Sequence, residues 1–297
     1  MAEPPPMSDG DPERCAVALA SPDGYLVSAG DAEDTFTIQS ISKALAYAMV
    51  LEEHGHKEVH RHVDVEPSGA AYHVISVEDS SGKPHNPMIN AGALVVHSLL
   101  PGDTADARFE AVLDTFSRMA GRRLAVDEEV YAAELEGAHR NLAIAHLLRA
   151  ENDLPADPHE VVDGYTRQCS ILVTVQDLAM MGATLASGGV QPVTGERIFA
   201  PDVMRQTLSV MLTCGMYDDA GDWVSGVGVP AKSGVAGGIL AVAPGRLGIC
   251  AWSPRLDDHG TSVRARELVL SVAEKLGLHL MDGAPPVGLD WTAPQMK

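Results

Sequence analysis

Basic residues are scarce in this sequence. Only 21 Lys and Arg stand against 41 Asp and Glu, a formal net charge of -20 over 297 residues. A surface of that sign repels phosphate backbones and anionic headgroups, which excludes nucleic acid and acidic membranes as natural partners. Cysteine is scarce as well. Cys15, Cys169, Cys214 and Cys250 form no C-x-x-C pair, and most lie in or beside apolar runs. They read as buried free thiols, not as a disulfide framework, and that fits a reducing compartment. No apolar run reaches membrane-spanning length without a polar interruption. The stretch from Met1 to Arg14 is rich in Pro, Asp and Glu and lacks the apolar core of a signal peptide. A soluble cytoplasmic protein is expected, with residues 1–13 as a disordered leader.

What the sequence does contain is organised around Phe36 to Leu51. A short β-like lead-in runs into a helix that is apolar on nearly every side, the mark of a helix buried at the centre of a domain. Ser40 and Lys43 open that helix three positions apart, which puts them on one face. The free N–H groups and the dipole of a helix start favour developing negative charge. An apolar setting favours the neutral form of a lysine, and a neutral lysine can take a hydroxyl proton. Ser40 and Lys43 are therefore a candidate nucleophile and base. The plainer alternative is a capping serine and a snorkelling lysine. A second Ser-x-x-Lys, Ser80 to Lys83, lies in a polar stretch with no buried helix behind it and reads as a loop.

Turn chemistry at Ser21-Pro22-Asp23-Gly24, between two short apolar runs, predicts a β-hairpin. Gly55 is a fitting stop for the central helix. From Asp103 to about Leu185 the pattern is helical throughout, with helices expected near 105–120, 126–135, 139–150, 158–168 and 175–187. A further helix is expected near 201–213. Strands follow at Val227–Pro230, around Ala231–Gly238, at Ile239–Val242 and at Leu247–Trp252, and a helix near 261–276 comes last. Strands at both ends with helices between imply one α/β (α+β) domain. Its antiparallel sheet would be built from both chain ends, about 14–55 and 190–285, with an all-helical lobe inserted at about 56–189.

Several polar residues stand out against this frame. His54, His56, His60 and His62 could converge on a metal, but no acidic or cysteine ligand accompanies them in a known spacing, so a solvated polar face is the expectation. Asn90 enters an apolar, small-residue helix behind Pro84 and Pro87 and is either a cap or a ligand contact. Glu134, Asn141 and Tyr165 lie in the helical segment. Each alone has a plain reading, as a surface acid, a helix cap and an amphipathic aromatic.

Ser-x-x-Lys on a buried helix together with Lys232-Ser233-Gly234 on a late strand is the motif pair of penicillin-recognising serine hydrolases. The sequence closely resembles the serine-dependent glutaminase family of the β-lactamase/transpeptidase-like superfamily. The matching stretches are Ile38 to Lys43, Glu66 to Gly69, Lys83 to Ala93, Arg140 to Ala145, Cys169-Ser170, Cys214 to Asp218, Ala231 to Gly238 and Trp252 to Pro254. The resemblance implies hydrolysis of L-glutamine to L-glutamate and ammonia, with neither metal nor organic cofactor. It implies Ser40 as nucleophile, Lys43 as base, and Tyr217 beside Ser40 as proton relay. It implies an oxyanion hole from the N–H groups of Ser40 and Val235, with Lys232, Ser233 and Gly234 in support. It also implies Glu134 on the substrate ammonium, with Asn90, Asn141 and Tyr165 on its carboxylate and amide. A homo-oligomer, dimer or tetramer, is the expected assembly.

Some positions depart from the family pattern. The family's upstream helical segment with its tyrosine is not expected before Cys15, and no ankyrin- or STAS-like extension is expected after Lys297. Tyr72-His73, Asp64 and Thr261 stand where the family has Phe-Asn, Gly and Asn. Another serine amidohydrolase, acting on a different small amide or a β-lactam, and a non-catalytic amino-acid-binding protein are the competing readings.

Overall fold

The computed structural model describes residues 11–67, 82–151 and 154–282. The leader up to Gly10, Ser80, Ser81 and the Tyr72-His73 pair therefore lie outside the described residues. The chain begins with the hairpin of β1 (Ala16–Ala20) and β2 (Leu26–Gly30), turned by Gly24 at φ 84°. Next come β3 (Phe36–Thr37), the central helix α1 (Ser42–His54) and the single turn α2 (His56–Val59). The middle segment holds α3 (Asn90–Ser98), α4 (Ala105–Ala120), β4 (Ala125–Val126), α5 (Glu128–Glu136), α6 (His139–Ala150), α7 (Pro158–Cys169) and β5 (Ile171–Val173). Then follow α8 (Val175–Ala186), α9 (Pro201–Cys214), α10 (Ala220–Gly226), β6 (Ala231–Ser233), β7 (Gly238–Ala243), β8 (Leu247–Trp252) and α11 (Val263–Leu276).

The main sheet is antiparallel in the order β2-β1-β8-β7-β6, so both chain ends contribute to it as the strand pattern implied. Its central strands are buried on both faces. Leu240, Val242 and Cys250 join the larger core with α1 and α8, while Ile239, Ala241, Ile249 and Ala251 pack with α11. The alternation follows from the period of two along a strand. In α1, every residue from Ser42 to Leu51 is buried, and Gly55 closes the helix at φ 75°. No helix among the described residues is long and apolar enough to cross a membrane.

Three sequence readings are corrected. Residues 103–185 are not helical throughout, because β4 and β5 join β3 in a second antiparallel sheet of order β3-β5-β4. The run Ile171-Leu172-Val173 sits between a helix end and the cap of α8, and its β-branched residues suit an extended pairing with Phe36 and Thr37. Val227–Pro230 is not a strand. Gly228 turns at φ 71°, Pro230 has no N–H for a ladder, and the Val229 carbonyl accepts from Trp223 Nε1 at 2.8 Å instead. The sequence reading also had no counterpart for α10.

Helix α8 meets the sheet backbone to backbone. A Cβ on Gly248 of β8 would lie 2.1 Å from the Ala183 nitrogen and 2.3 Å from the Ala179 carbonyl oxygen, and the facing helical residue is Gly182. Neither backbone can yield without separating helix from sheet. Gly248→Ala is expected to destabilise the fold by about 1–3 kcal/mol or more, the usual range for overpacking. A urea-unfolding midpoint equal to that of the wild type would show that the helix can shift freely.

Candidate active site

The chain leaves β3 through Gln39 with φ 49°. Only Gln39 and Tyr217, at φ 56°, have positive φ among the described non-glycine residues. Such a conformation costs about 1–3 kcal/mol and persists only where the surroundings hold it. Gln39 Nε2 donates to Thr37 Oγ1 at 3.1 Å and to Glu134 Oε1 at 2.7 Å. The Gln39 carbonyl accepts from Ser42 Oγ at 2.7 Å, and Ser42 Oγ accepts from Gln168 Nε2 at 3.0 Å. Ser40 therefore sits in a short 3-10 turn, Gln39–Ile41, that runs directly into α1. This differs slightly from a serine on the helix itself: the strained residue before it forces a tighter turn. Ser40 is half-exposed and Lys43, one turn on, is 1% exposed.

Lys43 Nζ donates to the Asn90 Oδ1 at 2.7 Å and to the Met88 carbonyl at 3.1 Å. Both acceptors are neutral. Burial drives the Lys43 ammonium pKa down to about 8, and the buried Cys169 thiol opposes this slightly. Lys232 on β6 is also fully buried, and burial, followed by repulsion from Lys43, holds it well below its ordinary value. The Tyr217 ring lies against both amines, with Lys232 Nζ 3.8 Å and Lys43 Nζ 5.6 Å from its centroid. Close packing of α9 onto β6 puts it there: a Cβ on Gly215 would stand 1.8 Å from the Ala231 carbonyl oxygen.

The middle segment supplies the polar rim. Glu134 on α5 is half-buried, and burial raises its carboxyl pKa while the Gln39 amide offsets part of the rise. Asn90 Nδ2 donates to Asn141 Oδ1 at 3.0 Å, which ties the start of α3 to α6 and leads back to Lys43. Tyr165 on α7 is 4% exposed and hydrogen-bonded to Cys169, and its hydroxyl is held well above the ordinary range by burial. Burial likewise pushes the Cys169 thiol to about 12, so it is no nucleophile.

Val235 occupies the second position of the turn Gly234–Gly237 between β6 and β7. That turn is closed by Gly237 N–H to the Gly234 carbonyl at 3.0 Å and Gly234 N–H to the Gly238 carbonyl at 2.9 Å. The Val235 N–H takes part in neither bond. A Cβ on Gly234 would meet the Ile38 carbonyl at 3.2 Å and Gln39 Cβ at 3.4 Å, so this turn passes directly over the turn of Ser40.

Lys43, Asn90, Glu134, Asn141, Tyr165, Tyr217, Lys232 and Gly234 are thus gathered, with Gln39 and Cys169, about the turn that carries Ser40. Gln39 and Cys169, which link these residues, carried no assigned role in the sequence reading. Gln39 had a signal: it is an amide immediately before the candidate nucleophile, within a buried run. The histidines do not converge. His54 Nε2 bonds the Leu99 carbonyl at 2.7 Å, His60 Nε2 bonds Tyr47 Oη at 2.9 Å, His56 faces Asp202 and His62 faces Glu58. Among the described residues no three His, Cys, Asp or Glu side chains are grouped to hold a metal ion.

A Ser-x-x-Lys turn under a Lys-Ser-Gly strand, on an antiparallel sheet with a helical segment inserted, defines a protein of β-lactamase-like fold. The family model Glutaminase matches residues 2–281. A glutaminase of Corynebacterium efficiens is 47% identical over 279 residues, covering 93% of this chain and 66% of the relative. A glutaminase of Trichormus variabilis is 43% identical, covering 94% of this chain and 83% of the relative. Among solved structures, Mglu in its glutamate form superposes with a TM-score of 0.91 at 47% identity, covering 96% of this chain and 66% of that one. A probable glutaminase of Bacillus subtilis superposes with a TM-score of 0.87 at 38% identity, covering 90% of this chain and 89% of that one. The chain belongs to the Glutaminase family, and it spans about two-thirds of the length of the Corynebacterium relative.

Proposed function

We propose that this chain hydrolyses L-glutamine to L-glutamate and ammonia through an acyl-enzyme on Ser40. The observation that carries the reading is the buried Lys43, neutral above about pH 8, one turn from a half-exposed serine. Ser40 Oγ attacks the side-chain amide carbon of glutamine, and its proton passes to Lys43 Nζ. Tyr217, lying against both lysines, relays a proton to the departing nitrogen so that ammonia leaves. Water then attacks the ester, its proton returns along the same route, and Ser40 leaves with glutamate released. The negative charge that forms on the substrate oxygen at each step is taken by the N–H groups of Ser40 and Val235.

Recognition of a free amino acid needs one anion for the ammonium and neutral donors for the carboxylate. Glu134 is the acid assigned to the ammonium, and among the described residues its hydrogen bond is to the uncharged Gln39 amide. Its raised pKa marks a carboxylate short of a cation, which the substrate ammonium supplies. Asn90, Asn141 and Tyr165 form the neutral part of the rim.

An electrophilic glutamine analogue is expected to add its mass to the peptide containing Ser40. Ser40→Ala is expected to lose activity by several powers of ten. Labelling elsewhere, or undiminished turnover in the variant, would contradict the assignment.

Glu134→Gln is expected to lower kcat/KM for L-glutamine by about one to two powers of ten, the worth of one charge-assisted hydrogen bond of about 1.5–3 kcal/mol. Discrimination against N-acetylglutamine should weaken in parallel, while acylation by a small uncharged electrophile stays nearly unchanged. A variant that keeps its full preference for a free ammonium would show that recognition lies elsewhere.

A further inference from the structure

The two N–H groups assigned to the oxyanion hole come from separate parts of the chain. Ser40 follows β3, whereas Val235 lies in the turn between β6 and β7. An oxyanion hole works only when both donors stand about 2.7–3.1 Å from one point in space, so something must fix the gap between the two turns. One side chain links the Val235 turn to β3, the strand that leads into the Ser40 turn. Trp252, the last residue of β8 and 6% exposed, stacks its ring on Phe36 of β3 with centroids 5.2 Å apart and planes 8° apart. Its Nε1–H donates to the Ala236 carbonyl, the residue after Val235, at 2.8 Å.

The turn is otherwise held by backbone hydrogen bonds and by close packing on Ile38, Gln39 and Ile41. Glycine stands at Gly234, Gly237 and Gly238, and Gly237 takes φ 95°. Those glycines let the turn lie close to its neighbours: a Cβ on Gly237 would be 2.2 Å from the Ser253 carbonyl oxygen, and one on Gly238 would be 2.8 Å from Phe36 Cε2. Gly238 is also the cross-strand partner of Trp252. A glycine-flanked turn gains closeness at the expense of rigidity. The indole restores the rigidity from one side, through a directional hydrogen bond, while its face is set by the strand that delivers Ser40.

We propose that Trp252 is a positioning residue that holds the Val235 turn in register with the Ser40 turn and so sets the width of the oxyanion hole. This rests on the assignment of Ser40 as nucleophile. Trp252 is not placed among the groups that receive the amino-acid end of the substrate, so its effect belongs to the transition state and not to ground-state binding.

The test uses Trp252→Phe, which keeps an aromatic ring for the stack and removes the N–H. Steady-state kinetics with L-glutamine should show kcat lowered about 10- to 100-fold, less than the loss of a whole oxyanion donor. KM and the dissociation constant of L-glutamate should stay within about two-fold of wild type. A folded variant with unaltered kcat, or one in which glutamate binding weakens as much as kcat falls, overturns the proposal. Phe36→Leu, which keeps the hydrogen bond and removes the stack, is measured beside it and decides the matter should Trp252→Phe not fold. Lowered kcat with intact KM again supports the clamp, and unaltered kcat overturns it. Ser40 acylation of the wild type is followed in the same series. Its absence overturns the nucleophile assignment and this proposal together, whereas its presence with unaltered kcat in the variants overturns this proposal alone.

Discussion

Two lysine side chains are buried here without a carboxylate, and the rest of the site depends on that constraint. Among the described residues, neither Lys43 nor Lys232 makes an ion pair; their acceptors are the Asn90 amide and backbone carbonyls of Met88 and Ser233. Holding Lys43 at about 8 in place of 10.5 corresponds to roughly 3 kcal/mol against its charged form. An acid placed beside it would remove that bias and with it the base that the proposed mechanism needs. The helix carrying Lys43 is accordingly apolar from Ala44 to Leu51, and Glu134, the acid proposed for recognition, is kept on α5 with a glutamine as its hydrogen-bond partner. The Tyr217 ring lies against both amines, where a charged pair would repel but neutral amines can share a proton path.

Strain is concentrated at the same place. Gln39, directly before Ser40, and Tyr217, against Lys43 and Lys232, take left-handed backbone conformations, and each is held by neighbours from elsewhere in the chain. Gln39 is held from α5 through Glu134 and from α7 through Gln168 and Ser42. A helix-to-strand contact at Gly215 and Ala231 brings the Tyr217 turn to Lys232. In the proposed mechanism the chemistry is mounted on the sheet core and the recognition groups on the middle segment. The Gln39–Glu134 hydrogen bond joins the two.

Much of this was legible in the sequence because it is written in short-range chemistry. The helix limits expected near 105, 158 and 175 coincide with side-chain caps by Thr104, Asp157 and Thr174. The hairpin at Gly24, the stop at Gly55 and the paired motifs around Ser40 and Lys232 were local too. What was not legible is pairing at a distance. Ile171-Leu172-Val173 becomes a strand only because Phe36 and Thr37 lie beside it, more than a hundred residues earlier. Gln39 shows its importance only once Glu134 is seen 2.7 Å away, and Trp252 only once Phe36 and Ala236 are seen on either side of it. The histidines carry no such signal. They cluster in sequence, yet each turns to a different partner.

The central claim is that Lys43 is neutral when it works, and its own titration tests this most directly. Lysines labelled at the ε-carbon can be followed by NMR as pH is varied, with Lys43→Met assigning the signal. A Lys43 resonance titrating near pH 8 is the result the buried, unpaired amine predicts. A resonance titrating near 10.5, as for a solvated lysine, would contradict the account and leave Ser40 without its base.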